Sequence, residues 1–267
     1  IIAWPGLSWA KRMFPDLAED DAQARLAEAI FMASRVNAED PVASWKTHNQ
    51  TLKEKREWLN QKDFKEIHFK GPGTDLKVGL ADDHEWMGGA SMAQNGVICN
   101  PNIPSEEVFT TPHALRVEGY VSSTKPISHQ GTLIDNIRDV FEKGSITDAK
   151  ASKGETVLKK VLESDEGARR LGEVALVPNS SPISNSGLLF YNTLFDENAA
   201  CHIALGQCYS KCFKGETNLS TSEIRERGGN SSMIHIDWMI GSGEIDIDGF
   251  GKNGEIVPIF RKGEWVD

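Results

Sequence analysis

Ile67-His68-Phe69-Lys70-Gly71-Pro72-Gly73-Thr74-Asp75-Leu76-Lys77-Val78-Gly79-Leu80 is where the chain changes texture, and the fold is read from that change. Two short extended runs, Ile67-His68-Phe69 and Leu76-Lys77-Val78-Gly79-Leu80, flank Gly71-Pro72-Gly73. Runs of this length bounded by Gly and Pro read as strands. The same texture continues to the end, where Asp248-Gly249, Asn253-Gly254 and Lys262-Gly263 are read as hairpin turns. One amphipathic helix interrupts it, with Val157, Leu158, Val161 and Leu162 following Gly154-Glu155. Upstream the periodicity is helical. Ala22, Leu26, Ala29, Ile30 and Ala33 share one face, and Pro41 opens a second helix that carries Trp45, Leu52 and Leu59 to near Asp63. The expected fold class is α+β: a helical segment over residues 1–62, then a β-rich, barrel-like domain over residues 63–267. Ile1-Ile2-Ala3-Trp4-Pro5 reads as the end of a buried strand entered partway, in a fragment or trimmed chain.

Composition narrows the function classes. The 267 residues carry 39 acidic and 29 basic side chains, a formal charge of −10. That balance argues against nucleic acid as a partner, because such binding needs a basic footprint. No apolar run approaches the ~20 residues of a membrane span. Cys99, Cys201, Cys208 and Cys212 form no C-x-x-C pair and read as free buried thiols of a reducing, cytoplasmic protein. Asp246-Ile247-Asp248-Gly249 lacks the Glu that a calcium-binding EF-hand loop needs at its twelfth position. No nucleophile elbow, His-Glu-x-x-His helix or phosphate-cradling loop occurs.

Four stretches carry chemistry. In Ser232-Met233-Ile234-His235-Ile236-Asp237-Trp238, strand alternation puts His235 and Asp237 on one face and Ile234, Ile236 and Trp238 on the other. An isolated His-x-Asp is more often a surface pair than a metal site. Phe195-Asp196-Glu197 leads to His202 among small residues up to Gly206, which suits either a ligand or a satisfied core histidine. Glu197 on its own also suits a helix N-terminus. Glu173 lies in Leu171-Gly172-Glu173-Val174-Ala175-Leu176-Val177, where an unpaired charge is expensive to bury. Glu106 and Glu107 are adjacent in a strand-like run, so only one can enter a site; Glu106 is assigned to a sheet edge.

Taken together, Asn102-Ile103-Pro104-Ser105-Glu106-Glu107-Val108-Phe109-Thr110-Thr111-Pro112, Leu171-Gly172-Glu173-Val174-Ala175, Phe195-Asp196-Glu197-Asn198 through His202-Ile203-Ala204-Leu205-Gly206, and His235-Ile236-Asp237-Trp238-Met239 resemble the thermophilic-type metalloaminopeptidase family. The blocks run in the family's order and span nearly the whole chain. The resemblance implies metal ligands at Glu107, Glu173, Glu197, His202, His235 and Asp237, with Glu173 shared between two ions, and an active-site role for Tyr209. It implies that residues 1–62 are the C-terminal part of a truncated N-terminal α/β domain. It also implies peptide substrates with a free N-terminus and a homodimer.

The donor set is chemically coherent without the family. Four carboxylates and two imidazoles hold two divalent ions, about 3.5–4 Å apart, if one carboxylate bridges. Zinc, cobalt or manganese suits such oxygen and nitrogen donors. The expected function is hydrolysis of the N-terminal peptide bond. The alternatives are a binuclear phosphoester hydrolase and a metal-binding protein without catalysis.

Overall fold

The computed structural model describes residues 1–215 and 218–266. Three helices come first: α1 (Leu7–Met13), α2 (Glu19–Ala33) and α3 (Pro41–Lys62). Helix α2 opens with Glu19, Asp20 and Asp21, favoured at the positive end of the helix dipole, and buries Ala22, Leu26, Ala29, Ile30 and Ala33. The side chain of Asp40 caps α3 by accepting from the Ala43 N–H, and Pro41 fills the first turn, where an N–H has no helical acceptor. Helix α3 is polar and buries only Leu52 and Leu59. Among the described residues, no helix is long and apolar enough to cross a membrane.

The remainder is mixed helix and antiparallel sheet. An eight-stranded sheet runs Ser145–Lys150, Arg138–Glu142, Pro112–Ser122, Thr74–Leu80, Glu66–Gly71, Asp246–Phe250, Ile256–Arg261 and Glu264–Trp265. A five-stranded sheet runs His235–Met239, His202–Gly206, Leu171–Leu176, Val108–Thr110 and Met87–Gly88. Both sheets contribute to one hydrophobic core: Ile67, Phe69, Leu76 and Val78 from the first, Val174, Leu176, Ile203, Leu205 and Trp238 from the second. Leu52 and Leu59 of α3 join it, as does Leu158 of the predicted amphipathic helix, α4 (Glu155–Leu162). A second core joins α1 and α2 to Ile183, Phe190, Phe195 and Ala199. There Phe190 stacks on Phe195 at 4.7 Å, and Trp9 packs against Phe195 at 5.7 Å. Aromatic pairs of this kind add about 0.5–1.5 kcal/mol each beyond the area they bury. They hold the segment leading to Glu197 against the helices.

Several expectations are corrected. Among the described residues there is no closed barrel: the edge strands Ser145–Lys150 and Glu264–Trp265 each pair with one neighbour and not with each other. Asn253-Gly254 and Lys262-Gly263 do turn between strands, but Asp248-Gly249 lies inside the strand Asp246–Phe250. The register shifts there, and Phe64 packs onto Gly249, so that glycine answers a close contact instead of a turn. Ile1 and Ile2 are 79% and 75% exposed and lie outside any strand; the two sheets do not extend to them. Three cysteines are buried, but Cys99 is exposed on the small hairpin Ser91–Met92/Ile98–Cys99.

Candidate metal centre

Strand register assembles the site. The strand Leu171–Leu176 is buried throughout and pairs with His202–Gly206 on one side and Val108–Thr110 on the other. Glu173 lies opposite Ala204, and Ala204 lies opposite Asp237, so these three form one row across the sheet. His235 lies opposite Gly206, and His202 lies opposite Ala175. Strand alternation then puts Glu173, Ala175, His202, Ala204, His235 and Asp237 on one face, with Phe109 opposite Ala175. Glu107 precedes Phe109 by two residues and joins that face. The alanines and glycines around His202 are therefore floor: they leave room above the sheet for the polar side chains.

The side chains meet there. Nε2 of His202 is 3.2 Å from Glu107 Oε2 and 3.9 Å from Glu173 Oε1. Nε2 of His235 is 3.5 Å from Glu173 Oε2 and 3.3 Å from Asp237 Oδ1. Two triads result, Glu107–Glu173–His202 and Glu173–His235–Asp237, each with donor atoms within 4.8 Å of one another. Glu173 belongs to both. Glu197 lines the same cavity, of about 270 Å³, but stands outside both triads. All six residues implied by the resemblance thus line one cavity.

Both imidazoles are oriented by main-chain carbonyls. His235 donates from Nδ1 to Gln207 O at 2.7 Å, and His202 from Nδ1 to Ala200 O at 3.2 Å. Each ring thereby turns Nε2 toward the carboxylates, the tautomer that suits a metal ligand. Burial, then the charges of Glu107 and Asp237, push the Glu173 and Glu197 carboxyls well above the ordinary range. Burial works to lower His202, but the hydrogen bond and charge of Glu107, with Asp237 and Glu173, carry it up to about 10. For Asp237, burial is outweighed by the hydrogen bond and charge of His235, which hold it low. Among the described residues, no Lys or Arg ion-pairs with Glu107, Glu173, Glu197 or Asp237. Buried acids and imidazole lone pairs facing one another are neutralised by protons or by cations, and the donor set fits divalent cations.

Tyr209 stands at the mouth, 42% exposed, with Oη 3.5 Å from His235 Nε2. Its ring packs against Phe109 at 5.9 Å and His235 at 5.0 Å. Burial and the neighbouring acids raise its pKa, so the phenol stays a hydrogen-bond donor.

Residues that sequence reading passed over support the centre. Glu106 is only 4% exposed, and not at an open edge as expected: Arg35 grips its carboxylate with two N–H donors, Nη2 at 2.8 Å from Oε2. Arg35 also donates to His48 Nδ1 at 3.3 Å, and His48 Nε2 donates to Ser105 O at 2.7 Å. Asn198 Oδ1 accepts the Glu106 N–H at 2.6 Å, tying the segment before Glu107 to the residue after Glu197. The available hints were the charge of Glu106 in an apolar run and the polarity of Asn198 among alanines. Neither points to a partner in α3 or just beyond α2.

Comparison with known proteins finds similarity over nearly the whole chain. Aminopeptidase T of Thermus aquaticus is 54% identical over 264 residues, 99% of this chain and 64% of that protein. Aminopeptidase 2 of Geobacillus stearothermophilus is 48% identical over 100% of the chain and 64% of its own length. The solved structure of wild-type AmpT from Thermus thermophilus superposes with a TM-score of 0.91 at 51% identity, covering 100% of this chain and 64% of that one. The chain therefore spans just under two thirds of the relatives it matches. The family of thermophilic metalloproteases, M29, matches residues 1–265, and the chain belongs to that family.

Proposed function

We propose that this chain bears the catalytic centre of a two-metal aminopeptidase, with Glu107, Glu173, Glu197, His202, His235 and Asp237 as the ligands. The observation that carries the reading is the two-sided placement of Glu173, one oxygen toward His202 and the other toward His235. A carboxylate so placed serves two neighbouring cations at once. Glu107 and His202 complete one side, and Asp237 and His235 the other, with Glu197 facing the shared cavity. Zinc, cobalt and manganese all suit this donor set. Cations bound there supply Lewis acidity, polarising a peptide carbonyl and acidifying water.

The chain's own residues supply the rest. With cations held on the acids, the unprotonated terminal amine of a peptide would be a further donor to them, which favours substrates with a free N-terminus. The Gln207 and Ala200 carbonyls keep both Nε2 atoms facing inward. Tyr209 donates its O–H toward the carbonyl oxygen as negative charge develops there. The domain reading also stands as a proposal: residues 1–62 end one domain and residues 63–267 bear the centre.

The test compares leucyl-anilide with nitrophenyl phosphate, with cobalt or zinc added. Metal-dependent cleavage of the anilide alone is expected. Cleavage of the phosphate ester alone would reassign the centre to phosphoester chemistry, and metal binding without either reaction would leave a binding protein.

A further inference from the structure

The cavity above the acid cluster is not uniformly acidic: Arg56 of α3 and Lys211 also line it. Among the described residues neither cation ion-pairs with a carboxylate, although four acids line the same cavity. Arg56 makes one long bond, Nη1 to Gly88 O at 3.4 Å, which leaves most of its five donors free. The Lys211 ammonium lies 5.3 Å from the Phe109 ring and 5.5 Å from the Tyr209 ring. The hydroxyl of that tyrosine reaches His235, so one aromatic ring separates the ammonium from the cluster. Cation–ring attraction fixes the position of Lys211 without neutralising it.

Cations held on the acid cluster would take the free amine of a peptide, and the cationic rim complements the carboxylate at its other end. We propose that Lys211, assisted by Arg56, reads the free C-terminal carboxylate of the substrate, so that the site prefers di- and tripeptides; this rests on the aminopeptidase reading above. An extended chain advances roughly 3.3–3.6 Å per residue. The carboxylate of a di- or tripeptide therefore falls within about two residue lengths of the cleaved bond, on the scale of one aromatic ring and its neighbours. In longer peptides it passes beyond the rim and the attraction is lost. A charge-assisted hydrogen bond formed in both ground and transition states acts mainly on KM.

The experiment measures kcat and KM of the cobalt-loaded protein for Leu-Gly-Gly and for its C-terminal amide. The free acid is expected to have the higher kcat/KM by about tenfold, carried by KM. Lys211→Met should collapse that acid-to-amide ratio toward one, and Lys211→Arg should keep most of it. A ratio near one in the unsubstituted protein overturns the proposal, as does a ratio that survives Lys211→Met. If neither peptide is cleaved, the aminopeptidase reading fails, and calorimetry with D-Leu-Gly-Gly and its amide decides the carboxylate assignment. Equal affinities there overturn it; tighter binding of the acid, lost in Lys211→Met, supports it.

Discussion

Glu173 in the five-stranded sheet and Asp139 in the eight-stranded sheet are both buried carboxylates on strands, and burial is the largest cause raising each. Their surroundings differ. Glu173 has an imidazole nitrogen near each oxygen and shares its cavity with three more acids. Asp139 is fully buried and, among the described residues, has no hydrogen-bond partner on either oxygen; burial together with the charge of Asp148 pushes it up to about 8. Desolvation acts on both alike and so identifies neither as a site. What separates them is convergent donors: they give Glu173 something a cation can complete, while Asp139 has only the charge of Arg169 to favour its ionised form and is relieved by a proton.

That contrast can be broken at either end. Glu173→Gln should lower metal affinity by at least about 10³-fold, roughly 4 kcal/mol, because both triads lose their shared anion. The metal-free protein should melt higher in the same variant, since the amide has no charge to desolvate and none to set against Glu107 and Asp237. Calorimetry and a melt in chelator check the two signs. Protons compete for the same atoms, so affinity should also fall steadily from pH 8 to pH 5; equal affinity at both would count against these ligands.

Tyr209→Phe should lower kcat roughly 10²–10³-fold with metal content unchanged, if the phenol meets developing charge. Near-normal turnover in the metal-replete variant would make Tyr209 a packing residue.

At Asp139 the sign runs the other way from an ordinary salt-bridged acid. Its folded pKa of about 8 lies above the unfolded value near ~3.9, so the native state holds the extra proton between them. Stability from this residue is complete below about pH 4 and is lost as pH rises toward 8. Asp139→Asn should flatten that slope and leave the protein more stable at pH 9, by roughly 2–3 kcal/mol once water reaching the ionised form has taken back part of the linkage. Chemical denaturation at pH 5 and pH 9 measures it, and an unchanged slope in the variant would remove Asp139 from the comparison.

The smallest effect belongs to the support. Asn198→Ala should cut metal affinity about 10–100-fold by freeing the segment before Glu107 from the one after Glu197. Unchanged affinity would show that the strands alone hold the acids.

Much of the site was legible because strand alternation is local. His235 and Asp237 share one face as Ile236 and Trp238 share the other, while Glu106 and Glu107, just ahead of their strand, turn to different partners, Arg35 and His202. The helices were legible from Pro41 and from the alanine stripe of α2. What stayed hidden depends on contacts across long chain separations. Arg35 finds Glu106 across 71 positions, so Glu106 read as an edge residue when it is a buried ion pair. Sheet closure was misread for a similar reason: strand content does not say whether Ser145–Lys150 meets Glu264–Trp265. Asp248-Gly249 misled because the same dipeptide serves a turn and a bulge equally well.

The strands beneath the centre meet at glycines. A Cβ on Gly206, whose φ is +101°, would lie 2.1 Å from Ile234 O, and one on Gly172 would lie 2.4 Å from the Gly206 and Gln207 carbonyls. Both positions are closed to inheritance of any larger residue, because the obstacle is backbone and cannot step aside. Diversification within the family is thereby channelled. The floor of the cavity can drift little without losing its sheet, whereas Arg56, Ser91, Asn102 and Lys211 on the rim lie outside that sheet. Directed evolution toward new substrates would find its accessible steps on that rim.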